Sequence, residues 1–73
     1  MRTVTVEVWG TNISSARQAG TVIALLRSEF PECRISIDLE DCDKVLRIEG
    51  CDVAPAIVVN LVTGLGFLCR DLV

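Results

Sequence analysis

Asp52-Val53-Ala54-Pro55-Ala56-Ile57-Val58-Val59-Asn60-Leu61-Val62-Thr63-Gly64 is the stretch on which the fold turns. Ile57, Val58 and Val59 form a β-branched run that propensity alone would assign to a strand. The frame around them is that of a helix. Asp52 stands where an N-cap belongs, Pro55 is tolerated in a first turn whose N–H groups have no intrahelical partner, and Gly64 offers a stop. The distance from Gly50 to Gly64 also exceeds what a strand needs. As a helix, the segment turns Ala54, Ile57, Val58 and Leu61 toward a core and leaves Val59 and Val62 on its flanks.

The neighbouring segments have clearer periods. Residues 34 to 39 alternate with Ile35, Ile37 and Leu39 on one face, residues 44 to 49 alternate again, and the acidic turn Glu40-Asp41-Cys42-Asp43 joins them as a hairpin. Further upstream, Ala19, Val22, Ile23, Leu26 and Phe30 recur at helical spacing as far as Pro31, which ends a helix. Residues 3 to 9 alternate with period two, placing Val4, Val6 and Val8 on one face and Thr3, Thr5, Glu7 and Trp9 on the other. The valine face is expected to meet the core. A last strand is expected from Gly66 to Leu72.

The predicted order is βαββαβ, an α+β, ferredoxin-like unit. Right-handed crossovers make it a four-stranded antiparallel sheet with both helices on one face. The end of the first strand, the turn at 40 to 43 and the loop at 63 to 66 then share one edge, with Cys33 and Cys51 at the opposite edge.

Seventy-three residues, 51% of them hydrophobic, make a single domain spanning 1–73. A chain of this size buries only about 60% of its unfolded surface, but this apolar content suffices for a core without disulfides or metal. The net charge of −3 and the scattering of Arg17, Arg27, Arg34, Lys44, Arg47 and Arg70 exclude a nucleic-acid footprint, which needs clustered cations. The longest apolar run, Ala54 to Val59, falls far short of the ~20 residues that span a bilayer, so no membrane association is expected. Strand-like alternation begins too early for a signal peptide, and the chain reads as cytoplasmic. If a leader had been removed, four cysteines in a short secreted domain would suggest two disulfides. No histidine is present, which removes the commonest general base, and no enzymatic role or cofactor is expected.

Four segments carry a resemblance: Val6-x-Val8-x-Gly10 leading into a loop, Val22 with Leu25 and Leu26, Asp43 to Gly50, and the close Gly64-Leu65-Gly66-Phe67. Together they resemble the heavy-metal-associated domain of copper chaperones and metal-exporting ATPases, over nearly the whole chain. That resemblance implies a solvent-facing Cys-x-x-Cys pair between the first strand and helix, where two thiolates select a soft ion. The loop Thr11 to Gln18 has none. One register puts Ser15 and Gln18 at the thiol positions, and another puts Ile13 and Ala16 there; no metal is expected at Ser15 or Gln18, whose oxygens are hard and neutral.

Ser15 and Gln18 instead fit a capping box, in which the Ser hydroxyl takes the N–H of the third helical residue and Gln reaches back to the cap N–H. The competing reading is a small anion site at Ser14, Ser15 and Arg17, built on free N–H groups at the helix start. Cys69 is expected to pack inward, as the resemblance also implies. Cys33, Cys42 and Cys51 stand nine residues apart, a spacing that matches no zinc or redox motif. Folding the hairpin nevertheless brings Cys33 near Cys51. Unpaired thiols are the leading reading there, with a disulfide or a soft-metal contact involving Cys33, Cys51 or Cys42 as the rival. Cys42, among Glu40, Asp41 and Asp43, lacks the electropositive setting of a nucleophile.

The surplus of apolar surface points to protein interaction or a homodimer. Trp9, Leu68 and Leu72 are expected on the sheet face away from the helices, and Val59 and Val62 on the flanks of the second helix. The candidate interface is therefore Trp9, Val59, Val62 and Leu68. The leading functional reading is a non-catalytic interaction module that has lost the metal loop, with Cu or Zn binding at the other cysteines as its rival.

Overall fold

A computed structural model describes residues 5–50 and 53–72. Along the chain run β1 (Val6–Thr11), α1 (Ala16–Glu29), β2 (Arg34–Asp38), β3 (Val45–Glu49), α2 (Pro55–Gly64) and β4 (Cys69–Asp71). The strands form one antiparallel sheet in the order β2-β3-β1-β4. β1 is thus an inner strand, and its ladders set Trp9 opposite Leu46 on one side and Asp71 on the other. α1 packs along β2, α2 packs along β4, and the helices touch each other. The architecture is α+β, as the periodicities predict. Among the described residues no helix is long and apolar enough to cross a membrane.

The core shows which parity of each strand is inside. Cross-strand partners share a face, so the register places Trp9 with Leu46, Ile37 with Leu46, and Ile35 with Ile48. Ala19, Val22 and Leu26 of α1 and Val58 and Val62 of α2 complete the cluster with them. The expected phase of β1 is therefore reversed: Trp9 is 1% exposed and Val6 is 45% exposed. A strand can bury only one parity. An indole removes on the order of 150–250 Å² from water, more than any one of the valines it displaces, and the chain takes that gain. Val8 on the outer face is half-buried. Beside it, Gly10 lets β4 cross closely, since a Cβ there would meet Arg70 Nε at 3.1 Å and Leu72 Cδ2 at 3.2 Å.

The second helix forms, but it is turned from its expected orientation. Its N-cap is Ala54, which makes no side-chain cap bond, and Pro55 opens the first turn; Asp52, the expected cap, lies outside the described residues. Val58 and Val62, one turn apart, are fully buried, whereas Ile57 is 46% exposed and Ala54 is exposed. Leu61 and Val59 pack partly buried against the core. With apolar residues nearly all round, the helix had no polar face to orient it in sequence, and packing along β4 chose the Val58–Val62 line. The stop is also displaced from Gly64 to Gly66. Gly66, at φ +95°, donates its N–H to Thr63 O at 2.9 Å, and Phe67 donates to Val62 O at 3.4 Å. This is the Schellman pattern, which favours glycine at its left-handed residue.

These placements correct half of the expected interface. Trp9 and Val62 are core residues, Val59 is partly buried, and Leu68 alone of the four is broadly exposed, at 68%. In chemical denaturation, Val62→Ala is expected to cost about 2 kcal/mol, and Ile57→Ala less than about 1 kcal/mol. Equal losses at the two positions would contradict this orientation of α2.

Candidate functional site

The loop between β1 and α1 is held from three directions. Thr11 donates its N–H to Asp43 O at 2.9 Å and its hydroxyl to Lys44 O at 2.6 Å, while accepting the N–H of Ile13 at 3.2 Å. Asn12 Oδ1 accepts the N–H of Leu68 at 2.8 Å. Arg70 closes the edge with a 2.9 Å ion pair to Asp43 Oδ1. The end of β1 and the turn at 40–43 therefore meet at one edge, as the sequence predicts, and Leu68 and Arg70, beyond the expected 63–66 loop, bond there too. Lys44 stabilises its own turn: it sits at φ +47° and donates from Nζ to Leu39 O at 2.7 Å.

Ile13 is fully buried. It is the one apolar residue between Gly10 and Ala16, a signal that the sequence reading passed over, and it anchors the loop in the core. Its burial removes the register that would place Ile13 and Ala16 at solvent-facing thiol positions. Ser15 and Gln18 remain, and they are occupied with the helix start. Ser15 is the N-cap, and its Oγ accepts the N–H of Gln18 at 3.1 Å. Gln18 Oε1 reaches back to the N–H of Ser14 at 2.9 Å and to its hydroxyl at 3.1 Å, one residue earlier than the expected bond to Ser15. The Ser15 side chain thus serves the Gln18 main chain, and the Gln18 side chain serves the main chain and hydroxyl of Ser14. Arg17, the third residue of the expected anion site, is exposed next to them in sequence; the Ser14 hydroxyl donates to Gln18 Oε1, whereas the Ser15 hydroxyl accepts from the Gln18 N–H.

The cysteines divide into separate environments. Cys42 is an exposed free thiol in the hairpin turn. Ligand-type atoms of Asp41, Cys42 and Asp43 lie within 4.8 Å of one another, yet Asp41 Oδ1 accepts the N–H of Asp43 at 2.8 Å and Asp43 Oδ1 holds Arg70. Cys33, just before β2, is buried and disulfide-bonded, so the leading expectation of an unpaired thiol there does not hold. The length of β2 separates it from Cys42 by roughly 17 Å or more, too far for a shared ion. Cys51 lies outside the described residues. Cys69 packs inward against the core as a half-buried free thiol. Burial, and then the charge of Asp71, raise its pKa above the ordinary thiol value.

No family model, curated protein or solved structure matches the chain.

Ser15→Ala is expected to destabilise the protein by about 1 kcal/mol through loss of the cap, measured by thermal or urea unfolding. With the native protein near neutral pH, a thiol-alkylating reagent is expected to modify Cys42 well before Cys69, as peptide mapping would show. Because the folded-state pKa of Cys69 is raised, its contribution to stability is full below the unfolded-state pKa and is lost as pH rises through the folded value. Stability should therefore decline on the alkaline side, and Cys69→Ala should flatten that decline; an unchanged alkaline slope would dissociate it from Cys69.

Proposed function

We propose that the chain is a ferredoxin-like βαββαβ module of the heavy-metal-associated type that has lost thiol-based metal chemistry at its first loop. It acts without catalysis, by binding a protein partner or a second copy of itself. The strand order β2-β3-β1-β4, with a helix after β1 and another after β3, supports the topological part of this reading. The observation that carries the functional part is the Ser14–Ser15–Gln18 cap: the positions matching the family's thiols make the hydrogen bonds that start α1. A helix start closed in this way is stable without an ion.

Support for an interaction role comes from the sheet face opposite the helices. Alternation along β1 and β4 puts Val6, Val8, Leu68 and Leu72 there; Val6 and Leu68 are exposed, and Val8 and Leu72 half-buried. A concavity of about 480 Å³ lined by Val8, Ser36, Val45 and Arg47 adjoins them. Exposed apolar surface bordered by polar groups is the usual signature of a contact face. Of the basic side chains, Arg47 pairs with Glu49 and Arg70 with Asp43.

A paired experiment tests the proposal. The reduced wild-type protein, titrated with Cu(I) against a thiol competitor, should show no tight site and no amide shifts over residues 11–18. The double substitution Ser15→Cys with Gln18→Cys should create tight binding at that loop. Sedimentation of the wild type should show concentration-dependent self-association or a monomer that a partner engages, and Leu68→Asp should weaken either contact. Tight wild-type metal binding at the loop would overturn the reading, as would a contact indifferent to Leu68→Asp.

A further inference from the structure

We propose that β2 is a self-recognition edge, at which two copies of the chain pair β2 with β2, antiparallel, about a two-fold axis at Ser36. β2 is the outermost strand on its side of the sheet. Its ladder with β3 uses one row of main-chain groups, and among the described residues the main chain of 34–38 makes no hydrogen bond outside that ladder. A free edge of this kind is a template for another strand. What selects a second copy is the strand's own sequence, Arg34-Ile35-Ser36-Ile37-Asp38. Reversed on itself about Ser36, it sets Arg34 of each copy opposite Asp38 of the other, Ile35 opposite Ile37, and Ser36 opposite Ser36.

Partners across a ladder share a face. The isoleucines, partly buried at the rim of the core, therefore meet on the helix side, and the charges meet on the open side, where Arg34, Ser36 and Asp38 are exposed. Both charges are available, since among the described residues neither makes an ion pair. Glu49, beside Arg34 on the ladder, pairs with Arg47 at 3.8 Å. Asp38 accepts the Glu40 N–H with Oδ1 at 3.0 Å, which leaves Oδ2 for a guanidinium. The charges also fix the register. A slip of one residue sets isoleucines opposite charged or polar residues. A slip of two residues one way sets Asp38 opposite Glu32, and the other way moves Arg34 onto Glu40, which lies in the turn and not in the strand. Two residues beyond each end of β2 the register sets Glu32 level with Glu40, which confines the pairing to the strand. Charges on an edge strand ordinarily deter pairing; here they deter any edge that lacks the same spacing of opposite charges. The contact is additional to the open-face contact, since Leu68 adjoins β4 at the other side of the sheet.

The test is sedimentation of the full chain at concentrations up to about 1 mM, because one short strand per copy makes a small and therefore weak interface. The wild type should form a dimer, with concentration-dependent amide shifts at residues 34–38. Arg34→Asp and Asp38→Arg each set like charges opposite one another twice in the dimer, and each should weaken it by about tenfold or more. Mixed in equal amounts, the two variants should form a heterodimer, since each then supplies the charge that the other lacks. The double substitution Arg34→Asp with Asp38→Arg should dimerise like the wild type. Circular dichroism checks that each variant is folded, and a merely structural role for these residues gives no rescue on mixing. A wild type that stays monomeric at about 1 mM, a dimer indifferent to both single substitutions, or single variants that fail to associate on mixing would overturn the proposal. Should a single variant fail to fold, the wild type and the double substitution decide it. Association lost on Leu68→Asp belongs to the open face, whereas a dimer that survives Leu68→Asp and falls with Arg34→Asp belongs to β2, so this contact and the proposed function are judged on different substitutions.

Discussion

Burial of Trp9 is the constraint on which the other placements depend. β1 is paired on both sides, so the parity that it turns inward also decides what β3 and β4 present to the helices. With the indole inside, Leu46 and Ile48 of β3 join it, Cys69 of β4 points inward, and Val6, Val8 and Leu72 are left on the outer face. The indole Nε1 has no hydrogen-bond partner. Burying that donor costs on the order of 1–3 kcal/mol, less than the roughly 5 kcal/mol that ring burial returns at about 25 cal/mol/Å². The apolar term wins, and the strand accepts an orphaned donor.

The loop that follows β1 inherits its position from this choice. Ile13 enters the core just after Trp9, while Thr11 and Asn12 tie the backbone on either side to the 43–44 turn and to Leu68. The chain therefore reaches Ser15 along a fixed path, and Ser15 meets the amide of Gln18 with its hydroxyl aligned as a cap. A soft-metal site at this point would need thiolate ligands, and the loop has none. Here the same positions contribute to stability by closing the first turn.

Several features were legible from local sequence because local chemistry decides them. Pro31 ends α1, Ser15 and Gln18 begin it, Ile35 and Ile37 face inward, and the acidic turn joins a hairpin. Others had two locally acceptable answers. Val4-Thr5-Val6-Glu7-Val8-Trp9 offers apolar residues to both faces of a strand, and counting valines favoured the wrong face. Val58 to Val62 is apolar around most of a helix, so the early Pro55 and the length between Gly50 and Gly64 pointed to the helix without giving its orientation. Gly64 and Gly66 are both able to stop it, and only the hydrogen bonds of Thr63 and Val62 show that Gly66 does.

By itself, the sequence determined the order of strands and helices and the residues that cap the start of α1, because propensities, caps and breakers act over a few residues. The tertiary structure alone decided which face of β1 and which side of α2 are buried, that Ile13 anchors the loop, and that Cys33 is bonded while Cys42 and Cys69 are free. Those outcomes depend on volume and proximity summed across elements distant in sequence. A buried indole outweighs a valine only once there are helices for it to pack against.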